Sequence, residues 1–231
     1  MKKIILFSLV FCILISGCSQ SKSENGKNEA EMKTIRYVAI GDSYTIGEGV
    51  KENQRWPNLL VDHLNKEGIK IELVANPSVT GWTTQQAIDL ELPILRREKP
   101  DFVTVLLGVN DGAQGATPDV FRKRFSILLD EIQKNIPDKS KIVVVTVPDF
   151  SVTPRGKTYN VGFDISKAID AFNSVIKDEA QKRNLSVADI NPISKGMINT
   201  ALVGPDGLHP APQEYVLWEE VIYPVARELL K

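Results

Sequence analysis

Thr34-Ile35-Arg36-Tyr37-Val38-Ala39-Ile40, followed at once by Gly41-Asp42-Ser43-Tyr44-Thr45, is the stretch from which the rest of the chain can be read. Its first seven residues are β-branched or apolar with hardly a break. A strand with one wet face alternates apolar and polar residues, whereas a near-continuous run suits a strand covered on both faces, as in parallel sheets. Runs of the same kind recur at residues 70–75, 102–107, 142–147 and 185–190. Helical patterns lie between them. Phe121, Phe125, Leu128, Leu129 and Ile132 share one face behind Thr117-Pro118-Asp119, which supplies a cap, a first-turn proline and a charge suited to the helix dipole. Ile165, Ala168, Ile169, Phe172, Val175 and Ile176 form a second stripe. Trp218, Val221, Ile222, Val225 and Leu229 form a third, which Pro224 is expected to kink or split. Five strands joined by helices predict a three-layer α/β/α domain with right-handed crossovers. The longest irregular stretch, residues 148–162, follows a strand, where binding loops of such folds gather.

Outside that domain the N-terminus has its own pattern. Lys2 and Lys3 precede an apolar run from Ile4 to Ile15, interrupted only by Ser8. A bilayer-spanning helix needs about 20 residues, so this run suits a signal-peptide core instead. It ends in Ile15-Ser16-Gly17-Cys18, which resembles the lipobox of bacterial lipoproteins. The expectation is a leader at 1–17, a lipidated Cys18 opening a polar tether at 18–33, and one folded domain at 34–231. Cutting 17 of the 231 residues leaves 214, of which about 200 belong to the domain, a size served by a single core. The net charge of −1 becomes −3 once Lys2 and Lys3 are removed. That charge gives no basic field for nucleic acid. With Cys12 in the leader and Cys18 lipidated, the mature chain would hold no disulfide.

Four short clusters carry the chemistry. The first strand ends in Gly41-Asp42-Ser43; the second is followed by Asn76-Pro77-Ser78-Val79-Thr80-Gly81; the third runs into Gly108-Val109-Asn110-Asp111; Asp206-Gly207-Leu208-His209-Pro210 precedes the last helix. All fall on the carboxyl side of the strands, where open α/β sheets place ligands. A serine hydroxyl needs a base to become a nucleophile, and imidazole suits that role. Of the two histidines, His63 lies in a helical pattern and is expected to be a partly exposed helix residue. His209 stands three residues after Asp206, a spacing that can bring the carboxylate to Nδ1 and fix the tautomer. The same spacing also suits an Asx turn. Ser43, Gly81 and Asn110 could supply an oxyanion hole of two backbone N–H groups and one side-chain amide. Gly81 equally suits a turn at positive φ, and Asn110 a loop or cap position.

Taken together, these clusters resemble the four blocks of the SGNH/GDSL hydrolase family. Its Ser, Gly, Asn and His fall here on Ser43, Gly81, Asn110 and His209 in order, with the preceding aspartate on Asp206. The resemblance implies a flavodoxin-like five-stranded parallel sheet of order 2-1-3-4-5, which sets strand one between strands two and three. Tyr44 stands where the name-giving motif has Leu and is expected to pack under the loop; Glu214 stands before Tyr215 where relatives often carry glycine. No G-x-S-x-G elbow, phosphate loop or dinucleotide fingerprint occurs, and two scattered histidines make no zinc cluster.

The expected function is hydrolysis of an ester at the cell envelope through Ser43, His209 and Asp206, by way of an acyl-enzyme and without a cofactor. The substrate class is a lipid or acylated glycan, reached from a lipid anchor at the extracytoplasmic face of the membrane. Asp42 is expected to brace the nucleophile loop; Trp82 and residues 148–162 are candidate pocket walls, for which plain packing of Trp82 and a plain surface loop at 148–162 stand as equal alternatives. Two rivals share these residues: a surface lipoprotein that binds a glycan or lipid without turnover, and an acyltransferase. Oligomeric state has no signature in the sequence.

Overall fold

The computed structural model describes residues 33–159 and 164–231. The expected leader, Cys18 and nearly all of the tether lie outside them, as does part of the 148–162 loop. The strands are β1 (Ile35–Gly41), β2 (Ile71–Ala75), β3 (Phe102–Leu106), β4 (Ile142–Val145) and β5 (Ser186–Ala188). They form one parallel sheet in the order β2-β1-β3-β4-β5, as the resemblance implied. Every residue of β3 and β4 is buried, so the central strands are covered on both faces. That burial explains their unbroken apolar character.

Two strands end earlier than their apolar runs predict. In the fourth run, Thr146 still reaches Ala188, but the Val147 N–H turns to Asn173 Oδ1, 2.8 Å away. The fifth strand keeps only three residues, because a parallel edge strand has one neighbour to pair with and Asp189 instead binds Thr146 and Lys177. Among the described helices, α1 (Ser43–Ile46) follows β1 directly, and α2 (Trp56–Lys66) and α9 (Pro212–Leu230) pack together. Pro224 does not split α9, which runs through it as one helix. The cost is local: Pro224 has no N–H to give the carbonyl one turn back.

After β2 the chain forms a helix in three parts: α3 (Thr84–Gln86), a π turn (Ala87–Glu91) and α4 (Leu92–Glu98). Leu92 N–H reaches back to Ala87 rather than to Ile88, and Pro93 has no donor for the next bond. Proline therefore marks where the ladder slips by one residue. The short α5 (Val109–Ala113) follows β3, then α6 (Pro118–Lys134) and α7 (Ile165–Lys182). The expected cap of α6 is present, with Thr117 accepting from Val120 N–H, and Asp164 caps α7 in the same way, accepting from Lys167 N–H. Stacked rings of Phe121 and Phe172, centroids 4.7 Å apart, join α6 to α7, and Phe121 lies 5.1 Å from Phe125. The short α8 (Asn191–Ser194) follows β5.

An ion-pair cluster staples the same two helices. Glu179, with a nearly buried side chain, receives Lys182 and Arg183 at 2.7 Å each and Arg122 of α6 at 2.8 Å. Burial alone would raise its pKa, but the bonds from Lys182, Arg183 and Arg122 outweigh that and hold it at about 2. A depressed carboxyl stabilises the fold above its unfolded value, about 4.3, and loses that contribution as the pH falls toward 2. The full linkage value would be about 3 kcal/mol, reduced here because the cations reach into solvent. Glu179→Gln is therefore expected to cost about 1–2 kcal/mol at pH 7 and little at pH 2. Urea unfolding at the two pH values measures the difference; an equal loss at both would contradict the ionic account.

Candidate active site

Ser43 is the first residue of α1, at the carboxyl end of β1 and at the point where the strand order reverses. Asp42 caps this short helix, its Oδ1 accepting the Tyr44 N–H at 3.0 Å. The turn is tight enough to require glycine before it: a Cβ on Gly41 would stand 2.1 Å from Thr45 Oγ1 and 2.9 Å from Leu106 O. Tyr44 is buried beneath the loop as expected, its ring 5.2 Å from that of His209 and 5.8 Å from Trp218.

Hydrogen bonds gather the other clusters around this turn. Asn76 donates to Thr45 O at 3.0 Å, Ser78 to Ala39 O at 3.4 Å, and Thr80 Oγ1 to Glu48. The segment that ends at Gly81 is thereby sewn to α1. Gly81 has φ of 84° and open space where a Cβ would stand, so it is both a turn glycine and an accessible backbone. From the third cluster, Asn110 Nδ2 donates to Asp42 Oδ2 at 3.1 Å and to Trp82 O at 3.0 Å. One amide thus touches the neighbour of Ser43 and the neighbour of Gly81. The N–H groups of Ser43 and Gly81 have no partner among the described residues, whereas the Asn110 amide already donates to two acceptors. Sequence reasoning named these three groups as candidate donors but did not foresee that the third already donates to two acceptors.

The fourth cluster is a turn closed by Gly204 N–H to His209 O at 2.6 Å and by the pairing of Val203 with Pro210. Asp206 fulfils both readings of its spacing. Its Oδ1 accepts the N–H groups of Leu208 and His209 at 3.0 Å, forming the Asx turn, while Oδ2 lies 2.5 Å from His209 Nδ1. Partial burial would raise the Asp206 pKa, but these bonds, that from the imidazole first, bring it below the ordinary value. The carboxylate is ionised at neutral pH and directs Nε2 away from itself. No hydrogen bond joins Ser43 Oγ to His209 among the described residues. Nucleophile–base bonds are often loose before substrate arrives.

His63 takes no part. It stacks on Tyr223 at 3.6 Å and bonds Glu219 at 3.0 Å, joining α2 to α9. Trp82 is half-buried beside Gly81, and Arg155 N–H bonds Gly207 O at 2.8 Å, so the loop after β4 lies against the Asp206 turn. Glu214, where a glycine was looked for, is wholly buried at the start of α9 and accepts Trp218 Nε1 at 2.7 Å; burial raises its pKa to about 7. A cleft of about 360 Å³ lined by Thr83, Gln85, Asp111, Gln114, Thr117 and Arg124 has none of Ser43, Gly81, Asn110 or His209 in its wall. Among the described residues no cluster of His, Cys, Asp or Glu could hold a metal ion.

A serine on the first strand-to-helix turn of this sheet, with a His–Asp pair before the last helix, defines a hydrolase of SGNH architecture. Residues 39–216 match the GDSL-like Lipase/Acylhydrolase family, and the chain belongs to that family, whose members are carboxylic ester hydrolases. It is 25% identical over 226 residues to an arylesterase of Vibrio mimicus, covering 98% of each chain. It is 25% identical over 219 residues to esterase TesA of Pseudomonas aeruginosa, covering 94% of this chain and 98% of the relative. Among solved structures, TesA superposes with a TM-score of 0.70 at 23% identity over 84% of this chain and 99% of its own. A family 3 carbohydrate esterase of Clostridium thermocellum does so with a TM-score of 0.69 at 21% identity, over 86% and 98%. At such identities the superpositions speak for the fold alone.

Because the first turn is so tight, Gly41→Ala must displace Thr45 or the end of β3. Forced overpacking of this kind costs about 1–3 kcal/mol. Thermal unfolding should show a Tm lower by several degrees; an unchanged Tm would mean the turn can open without penalty.

Proposed function

We propose that this protein hydrolyses a small or medium acyl ester through Ser43, His209 and Asp206. The observation that carries the proposal is the 2.5 Å contact of Asp206 with His209 Nδ1, on an imidazole whose ring packs against Tyr44, the residue next to Ser43. His209 Nε2 takes the Ser43 proton as Oγ bonds to the ester carbonyl carbon. The carbonyl electron pair moves onto oxygen, where the N–H groups of Ser43 and Gly81 and the amide of Asn110 receive it. When the carbonyl re-forms, the alcohol leaves with the proton from His209. A water deprotonated by the same imidazole then releases the acid and restores Ser43. Asp206 stays ionised throughout and stabilises the imidazolium.

Both full-length relatives are named esterases, which favours hydrolysis as the outcome. Residues 1–18 supply the location: a leader cut before Cys18, with lipid on that cysteine, would hold the enzyme at the extracytoplasmic face, within reach of lipids and acylated glycans. The polar stretch after it serves as a tether.

The direct test is release of p-nitrophenol from esters of increasing chain length, comparing wild type, Ser43→Ala and Asp206→Asn. Ser43→Ala is expected to fold and to lose turnover and fluorophosphonate labelling. Asp206→Asn is expected to lower kcat by about 10²–10⁴ with little change in KM. A folded Ser43→Ala variant with wild-type rates would refute the mechanism, whereas a folded, inactive and unlabelled wild type would favour a binding protein. Anchoring is tested separately: Cys18→Ser should move the expressed protein from the membrane to the soluble fraction, and unchanged fractionation would argue against the lipid.

A further inference from the structure

Helix periodicity assigns position 91 to the core. Ala87, Leu92 and Leu95 around it are wholly buried and apolar, yet residue 91 is glutamate, and it too is wholly buried. A conflict of this kind between pattern and residue is typical of functional sites. The π turn Ala87–Glu91, which ends at this residue just before Pro93, puts its carboxyl at the end of β1. There Oε2 accepts the N–H of Gly41 at 3.0 Å, while Oε1 is buried with no partner.

The sheet explains why a side chain is needed at that point. β1 is registered with β2 only as far as Val38 against Ala75, while its pairing with β3 continues to Gly41 against Leu106. Beyond Val38 the strand has lost its neighbour on one side. Ala39 O accepts from Ser78 Oγ there, and Gly41 N–H donates to Glu91 Oε2. These side chains replace the missing strand over the last residues before Asp42 and Ser43. Burial above all raises the pKa of Glu91 well above the ordinary value, and the charge of Asp42 adds to the rise, against the Gly41 bond. The shift favours the uncharged carboxyl, a form that accepts from Gly41 without placing a second negative charge beside Asp42.

We propose that Glu91 is a positioning residue for the nucleophile: its carboxyl fixes the end of β1 so that Asp42 and Ser43 meet the oxyanion donors. The inference rests on Ser43 as the nucleophile. Nothing in it requires Glu91 to touch substrate. Its effect runs through Gly41 to Asp42, and from Asp42 to Tyr44 N–H and the Asn110 amide.

The test compares Glu91→Gln, Glu91→Ala and Glu91→Met in ester hydrolysis, with Ser43→Ala as the reference for absent catalysis. Glutamine keeps a neutral carbonyl acceptor of the same reach; alanine removes it, and methionine removes it while filling the space. Glu91→Gln is expected to keep kcat within about threefold of wild type. Glu91→Ala and Glu91→Met are expected to lose about 10- to 50-fold in kcat, the scale of one buried hydrogen bond, with KM within about twofold. Fluorophosphonate labelling of Ser43 should slow in parallel. Folded alanine or methionine variants with wild-type kcat would overturn the proposal, and so would a glutamine variant as slow as alanine. Failure of both truncations to fold would make Glu91 a stability element and overturn it as well. If wild-type turnover proved independent of Ser43, the underlying mechanism would fail first; Ser43-dependent turnover indifferent to Glu91 would reject this inference alone.

Discussion

The arrangement depends on one buried carboxylate, that of Asp42. It holds Tyr44 N–H with one oxygen and Asn110 Nδ2 with the other, and it is wholly inaccessible to solvent. Burial raises its pKa to about 7; the Tyr44 bond opposes the rise, the charge of Asp111 adds to it, and the Asn110 bond opposes it. Because the folded value lies above the unfolded one, about 3.9, the folded state holds this proton more tightly. The contribution of Asp42 to stability therefore declines as the pH climbs from about 4 to 7, by up to about 4 kcal/mol. A domain keeps such a group where its geometry is needed, and here it ties the strand end that bears Ser43 to the cluster that bears Asn110.

The same end of the sheet holds other groups that an optimally stable core would avoid. Oε1 of Glu91, Oγ1 of Thr45 and the Tyr215 hydroxyl are buried without partners among the described residues. Asp111 is wholly buried as well, although Thr84 and Arg124 satisfy it. Unpaired buried polar atoms cost about 1–3 kcal/mol each. The opposite balance holds away from the site, where apolar strands, the Phe121–Phe172 stack and the Glu179 ion cluster are fully partnered. Rigid packing in one region thus offsets a polar, incompletely partnered end in the other, as stability and activity tend to trade.

Much of this was legible in the sequence, and the boundary has a physical meaning. Unbroken apolar runs gave strands, because burial on both faces acts on every residue of β3 and β4. Sheet order came from resemblance, since pairing across a crossover leaves no local trace. The His209–Asp206 contact was legible because both groups lie in one turn. Glu91 was not, although an acid at a core position was a visible signal. Its meaning depends on where β2 leaves β1, a fact set by register. A split of α9 at Pro224 does not occur for a related reason: packing against α2 holds a helix whose local propensity alone would break it.

On the mechanism proposed above, the engaged amide of Asn110 would set an order of events. Nδ2 of Asn110 already donates to Asp42 and to Trp82 O, so an oxyanion would bind it at the expense of one of them. Asp42 is the stronger acceptor when ionised, since a charged partner makes roughly twice the bond of a neutral one. The carbonyl of Trp82 is therefore the partner to yield. An ester oxygen, neutral like that carbonyl, gains little from the exchange, whereas an oxyanion gains the difference between a charged and a neutral bond. A donor taken from an existing partner would thus discriminate against the ground state and in favour of the proposed tetrahedral intermediate. That is the differential binding from which catalysis derives.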